Sequence, residues 1–222
     1  MPKTARCKLH PVSVCCRIKN MIRRAQESDL DQIYFLYRQY VLDVNKINDS
    51  SYVSKVEKEG FTIETSDKED LLNRIKNDVI FNVFEQDGQI VGYIDFNKEV
   101  YFPEEAENII WLDQKTKEEY FQEERSIVLH YIAVDLKHTK RGIARELLQK
   151  SEEELRSKAY RYLFAIITTG PVKNYPSIRF HEKMGFTRVC KTLPIELFGI
   201  KNYESELYKK GILDIFKKGP IL

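Results

Sequence analysis

The chain has 222 residues, enough for one well-buried domain and short for two independent ones. Hydrophobic residues make up 42% and charged ones 32%, with 13 Tyr and 12 Phe, a composition too apolar for a disordered chain. The net charge of +2 hides a basic segment, because residues 1–20 carry Lys3, Arg6, Lys8, Arg17 and Lys19 and no acid, which leaves 31 of the 36 bases against 34 acids and argues against a general nucleic-acid binder.

The basic segment 1–20 reads as an extension ahead of a single domain over 21–222. Met21 opens the far more domain-like "MIRRAQESDLDQIYFLY" and is the expected translational start, with a basic mitochondrial-type targeting segment as the alternative. Cys7, Cys15, Cys16 and Cys190 have neither disulfide-scaffold nor zinc-ribbon spacing. They read as reduced thiols of a cytoplasmic protein, and the set Cys7, His10, Cys15 and Cys16 does not match a standard metal site. No apolar run approaches the ~20 residues of a membrane span, so neither a metal nor a membrane is expected.

"MIRRAQ" reads as a first strand, and Ser28 with Asp31 as the cap of a helix over about 29–44, on which Leu30, Ile33, Tyr37, Val41 and Val44 recur at helical spacing. Ser66 and Glu69 suggest a capping box for a second helix over 67–77. The polar stretch between the two reads as loop or irregular helix. Val79–Gln86 and Gln89–Asn97 flank Asp87-Gly88, the dipeptide of a type I′ hairpin turn. An acidic insertion follows over about 99–125, with a helix near 114–124.

"SIVLHYIAV" (126–134) is apolar on both faces, as a central strand would be, and places His130 on the face of Val128 and Ile132. Ala144, Leu147, Leu148, Ser151 and Leu155 mark a helix to about 158, and "RYLFAIIT" is another doubly buried strand. Strand, helix, strand implies a right-handed crossover and a parallel pair. "SIRFHEKM" reads as a short helix ended by Gly185, and "FTRVCKTL" and "NYESELYKK" as final antiparallel strands. The fold class is mixed α/β (α+β), a sheet with helices on both faces.

The turn "HTKRGIARELL" (138–148) carries the chemistry. A helix N-terminus leaves backbone N–H groups unpartnered and adds about half a positive charge. Gly142 lets a ligand approach that backbone, and Lys140, Arg141 and Arg145 add cations, a composition suited to a pyrophosphate. A solvated basic helix start would present the same residues. The turn is neither a Walker loop nor the three-glycine turn of a dinucleotide fold.

Two motifs together resemble the GCN5-related N-acetyltransferase superfamily, over about residues 21–209. That family's phosphate loop, Gln/Arg-x-x-Gly-x-Gly/Ala, is met by Thr139-Lys140-Arg141-Gly142-Ile143-Ala144, and its Asn followed by a short helix ending in Gly-Phe by "NYPSIRFHEKMGF", Asn174 to Phe186. The resemblance implies that fold, with a mostly antiparallel sheet and a splayed parallel pair at 126–134 and 162–168. It implies acetyl-CoA as co-substrate, its pyrophosphate on the amides of Lys140 to Ala144 with Arg145 near, and its pantetheine arm against Ile132, Ala133 and Val134. An amide of Ala133 or Val134 would polarise the thioester carbonyl. Asn174 and Ser177 would lie along the pantetheine and Lys183 toward the adenosine phosphate.

Two positions depart from the family pattern. Thr139 stands where Gln or Arg is usual, and His181 where many members place a tyrosine that reprotonates the leaving thiolate, a task open to imidazole. A base for the acceptor amine is expected near the first half of strand 126–134, with His130 and Glu123 or Glu124 as candidates. The acids of the insertion, among them Glu99, Glu104, Asp113 and Glu118, would form an acceptor wall that favours a cationic amine. The implied activity is acetyl transfer to a primary amine of a small molecule, in a ternary complex. The alternatives are a protein N-terminal or lysine acetyltransferase, a non-catalytic acyl-CoA-binding module, and, more remotely, a nucleotide-binding regulator. A small-molecule amine is the expected partner, nucleic acid is not, and homodimerisation stays open.

Overall fold

The hairpin at Asp87-Gly88 forms as the dipeptide predicts: both residues adopt positive φ, 51° and 81°, and β2 (Ile80–Gln86) pairs antiparallel with β3 (Gln89–Asn97). A computed structural model describes residues 20–98, 107–122 and 124–212, so the basic extension, Cys7, His10, Cys15, Cys16, Glu99, Glu104 and Glu123 lie outside the described residues. Around the hairpin the sheet adds β1 (Asn20–Arg24), β4 (Ile109–Trp111), β5 (Ser126–Val134), β6 (Tyr162–Gly170), β7 (Thr187–Thr192), β8 (Ile195–Leu197) and β9 (Ile200–Gly211). Their order is β1-β2-β3-β5-β6-β9-β7-β4, with β8 hydrogen-bonded to β9. Every neighbouring pair is antiparallel except β5–β6.

Helices cover both faces. The connection from β5 to β6 is α5 (Ile143–Ser157), whose Ile143, Leu147, Leu148 and Leu155 join a core with Ile94, Phe96, Ile127, Leu129, Leu163 and Ala165. On the opposite face α1 (Leu30–Arg38) and α3 (Lys68–Asn77) pack Ile33, Leu36, Leu71 and Ile75 against Phe81, Val83, Tyr93 and Ala133. Farther along that sheet, Tyr120 of α4 (Gln114–Tyr120) clusters with Val128, Phe164, Val189 and Leu207. A smaller cluster joins α2 (Ser50–Glu59) to Leu42, Phe61, Val172 and Tyr203.

Four expectations need correction. Ser28 does not cap the first helix: the chain enters it through a 3-10 turn over Glu27–Asp29, in which Asp29 accepts from the Gln26 amide at 2.8 Å. The first helix ends at Arg38 rather than near 44, because Tyr40 and Leu42 exchange backbone hydrogen bonds with Thr62 (2.8 Å each), and long-range pairing overrides the local periodicity. The box at α3 is one residue out of the predicted frame: Asp67, not Ser66, caps it, accepting from the amides of Glu69 and Asp70, and Asp70 returns the bond to the Asp67 amide. The amide of Ser66 is instead held by the Tyr37 hydroxyl at 2.6 Å. The stretch read as loop contains α2, capped by Asp49 through the amides of Ser51 and Tyr52.

Candidate active site

The parallel pair stays in register only from Ser126–Tyr162 to Leu129–Ala165. Beyond Leu129 the edge of β5 that faces β6 has no strand partner among the described residues, so the two central strands part as the resemblance implied. A bulge on the other edge marks the same place: Asp95 pairs with Tyr131 and Phe96 with Leu129, leaving His130 as the extra residue. The bulge resets the alternation of side chains. Leu129 and Ile132 both contact the α5 core, whereas Val128 joins the α4 cluster. His130 therefore keeps the face of Val128 but not that of Ile132, and its ring lies 4.3 Å from that of Tyr131, on the α1/α3 side.

Where β5 ends, the chain turns into α5 without a side-chain cap. Lys140 (φ 63°) and Gly142 (φ 88°) are both left-handed, the kind of backbone that can turn amides to one side as a concavity suited to an anion at a helix N-terminus. At Gly142 it is the positive φ that demands glycine, since an added Cβ would meet nothing nearer than 3.8 Å. Thr139, Lys140, Arg141 and Arg145 are exposed around this turn, whereas Ile143 is core and Ala144 packs against it. The Thr139 hydroxyl donates to the Leu136 carbonyl at 3.1 Å, so the residue that departs from the family pattern helps hold the turn. Ile132, Ala133 and Val134 pair with β3 on one edge and are left without β6 on the other, and Tyr40 donates its hydroxyl hydrogen to the Val134 carbonyl at 2.5 Å.

Across the gap stands α6 (Tyr175–Lys183). Asn174 caps it, accepting from the Ser177 amide at 3.2 Å, and its Nδ2 donates to the Phe61 carbonyl at 2.8 Å. Both ends of this amide are thus engaged in joining α6 to the segment after α2. Lys183 is exposed in the last turn. His181 is almost wholly buried between Phe180 and Phe186, and burial pushes its pKa down to about 4. Nδ1 donates to the Ser177 carbonyl at 2.7 Å, with the Ser177 hydroxyl 3.3 Å away. That contact fixes the single proton of the neutral ring on Nδ1 and leaves Nε2 a lone pair with no partner among the described residues. In this tautomer Nε2 accepts a hydrogen bond and has no proton to give, which does not match the general acid expected from the sequence.

On the α1/α3 side of the bulge a cavity of about 370 Å³ opens. Its walls are polar throughout: Glu64, Asp70 and Asp78, the Asn97 amide, and the cations Arg74 and His130. His130 Nε2 lies 2.9 Å from Glu64 and Nδ1 3.6 Å from Asp95. Burial opposes charge on the ring, but the Asp95 and Glu64 carboxylates outweigh it and raise the pKa to about 9. His130 is thereby an imidazolium at neutral pH rather than a free base; Asn97 Nδ2 lies 3.2 Å from Nδ1, and since two donors cannot bond each other, the cationic ring calls for the Asn97 amide flipped so that its oxygen accepts. Asp95 is fully buried; burial opposes its ionisation, yet Arg74, with which it forms an ion pair, and His130 hold it below the ordinary carboxylate range. Asp78 beside it is pushed up to about 8 by burial and by Asp95.

The sequence reading missed Glu64, Arg74, Asp78 and Asp95. Their one visible signal was a charged residue, Asp95, inside the otherwise apolar strand β3. Glu124 does not reach this place. It is exposed ahead of β5 where the parallel pair is still closed, and roughly 13 Å of strand separates Ser126 from His130. Nor do the described acids of the insertion line the cavity: Asp113 caps α4 and Glu119 pairs with Lys209.

The sequence profile of the acetyltransferase (GNAT) family matches residues 41–186. No curated protein sequence matches the chain. Among solved structures, an N-acetyltransferase from Staphylococcus aureus Mu50 superposes with a TM-score of 0.57 at 21% identity, covering 88% of this chain and 99% of its own. For yncA of Salmonella typhimurium, whose structure contains its cofactor acetyl-CoA, the values are 0.58, 18%, 88% and 95%. For a ribosomal-protein-alanine N-acetyltransferase from Brucella melitensis they are 0.56, 23%, 86% and 99%. These likenesses establish a shared fold.

Proposed function

Because the chain belongs to the acetyltransferase (GNAT) family, matched over residues 41–186, we propose that it transfers the acetyl group of acetyl-CoA to a primary amine of a small molecule. The observation that carries the proposal is the parting of β5 from β6 after Leu129 and Ala165, directly ahead of the uncapped N-terminus of α5. An extended amide-bearing arm fits the unpaired edge of β5, and a pyrophosphate fits the left-handed turn one strand-end away. The fit rests on Gly142 and on a cradle of main-chain amides, so the loss of the usual Gln or Arg at Thr139 leaves it intact.

In this reading the amides of Lys140 to Ala144 hold the pyrophosphate, with Arg145 beside it and Lys183 toward the adenosine phosphate. Ile132, Ala133 and Val134 align the pantetheine arm by main-chain hydrogen bonds, and an amide of Ala133 or Val134 polarises the thioester carbonyl. The acceptor enters from the cavity at the bulge, where its neutral nitrogen attacks the carbonyl carbon and the C–S bond breaks. His130, held cationic, disfavours a second positive charge near it and so favours the neutral form of the attacking amine. Glu64 orients that ring and faces the cavity as the nearest proton acceptor through water. His181 acts as a neutral acceptor behind the gap, aligned by Ser177, and the departing thiolate takes its proton from water or from the acceptor nitrogen. Asn174 keeps α6 in place rather than touching the arm.

A protein N-terminal or lysine acceptor remains the second reading, and a cavity of this size favours a small molecule over it. Thiol release from acetyl-CoA, measured across a panel of small amines and peptide N-termini, tests the choice. Release with small amines is expected. Release with peptides alone would reverse the assignment of the acceptor, and saturable acetyl-CoA binding without turnover on any amine would leave an acyl-CoA-binding module.

A further inference from the structure

The cavity beside β5 has charged walls but no charge to spare. Arg74 pairs with Asp95, and His130 lies between Glu64 and Asp95, so the two cations face two carboxylates. Asp78, pushed up to about 8 by burial and by the charge of Asp95, to which it hydrogen-bonds, keeps its proton at neutral pH. Asp70 is an exposed carboxylate in the first turn of α3, where it accepts the Asp67 amide at 3.0 Å and belongs to the helix cap and the solvent. The interior is therefore balanced before any acceptor arrives.

That balance constrains the part of the acceptor that does not react. A second ammonium would meet Arg74 and His130 with no unmatched carboxylate beside it, and a carboxylate would meet Glu64 and the rim at Asp70. In either case an ion leaves water without a partner. A bare alkyl body gains little as well, because every side chain that lines the cavity is polar or charged, whereas sites for apolar ligands are walled by apolar and aromatic groups. The wall does have uncharged hydrogen-bonding groups. The Thr65 hydroxyl and the Asn73 amide stand in it, both on exposed residues, and each can donate and accept. A hydroxyl does the same, so a hydroxylated body can bond Thr65 and Asn73 and donate to the Asp70 rim without bringing a charge into the interior.

Resting on the acetyl-transfer reading of the same site, we propose that the acceptor is a primary amine on an uncharged, hydroxyl-rich body, an amino polyol or amino sugar, with its hydroxyls against Thr65 and Asn73 and its nitrogen at the Glu64–His130 end. The segment that leads into α3 carries Glu64 and Thr65, and α3 itself carries Asn73 and Arg74, so the same two elements border the reacting end and the hydroxyl sites. The hydroxyls exchange bonds with water for bonds with exposed groups, which keeps the gain modest, about tenfold for two such bonds.

The test is a set of six-carbon amines: glucamine, with a hydroxyl on every carbon that lacks nitrogen, hexylamine, and the α,ω-diamine and ω-amino acid of the same length. Values of kcat/KM are expressed per neutral amine, so that the charged fraction does not enter. Glucamine is expected to exceed each of the other three by about tenfold. The double variant Thr65→Val, Asn73→Leu, which keeps size and loses the hydrogen bonds, should bring the ratio of glucamine to hexylamine toward unity through KM rather than kcat, and a thermal melt shows that it is folded. Glucamine no better than hexylamine, a preference for the diamine or the amino acid, or an unchanged ratio in the double variant would overturn the proposal. Should none of the four turn over, the acetyl-transfer reading fails separately. Calorimetry in the presence of CoA then decides the body of the ligand: tighter binding of glucamine than of hexylamine supports it, and equal binding or none refutes it.

Discussion

At the scale of the residue, environment rather than residue type sets the chemistry of the two histidines. His130 and His181 are both buried, but His130 lies between two carboxylates and is raised to about 9, whereas His181 has a carbonyl and two phenylalanine rings and falls to about 4. Their contributions to stability have opposite signs in pH. For His130 the folded value exceeds the unfolded one of about 6.5, so its contribution is complete below pH ~6.5 and is lost as the pH rises through about 9. Asp78, raised to about 8, also favours the protonated fold and loses its share by pH ~8. His181 contributes above pH ~6.5 and loses its contribution as the pH falls through about 4. Stability measured by denaturant should therefore decline from pH 6.5 to 9, by on the order of 2–3 kcal/mol from His130, and His130→Gln should flatten the decline. A wild-type stability that stays level or rises over that window would contradict the cationic assignment. His130 was legible as a polar residue in an apolar run. Its state was not, because Glu64, Asp95 and Arg74 reach it from three other elements.

At the scale of the element, β5 reads from the sequence with its exact ends, Ser126 and Val134, because a run apolar on both faces between turn signals has few alternatives. The bulge inside it was invisible for the same reason: with both faces apolar, one extra residue leaves no break in the pattern. The uncapped start of α5 was legible through Gly142, and it supports a substitution test with an internal control. Gly142→Ala and Gly88→Ala both place a Cβ at a φ above 80° without a close contact, at a cost of about 1–2 kcal/mol. Both variants should melt earlier. Gly142→Ala should also weaken CoA binding by about tenfold, the equivalent of ~1.4 kcal/mol, while Gly88→Ala should not. Equal CoA affinity in the two variants would remove the left-handed turn from the cradle.

At the scale of the whole molecule, the fold class followed from the order of motifs: a hairpin, a doubly buried strand, a crossover helix and a second buried strand leave few ways to arrange the sheet. What stayed hidden was the acceptor side. Glu64 leads into α3, Asp78 follows it, and Asp95 and Asn97 come from β3, so the cavity exists only once α3 packs beside the bulge. The acids of the insertion were the visible ones, but none of those described lines the cavity, and two of them serve elsewhere, Asp113 as the cap of α4 and Glu119 in an ion pair with Lys209. The two halves of the account meet at the open edge of β5, with the CoA cradle beyond Val134 and the polar cavity at His130. Incubation of the protein with isotopically labelled acetyl-CoA and a small primary amine, followed by mass analysis, tests that meeting directly. The account predicts one labelled acetyl group on the amine for each CoA thiol released. Thiol release with the label recovered only as acetate, or no release at all, would contradict it.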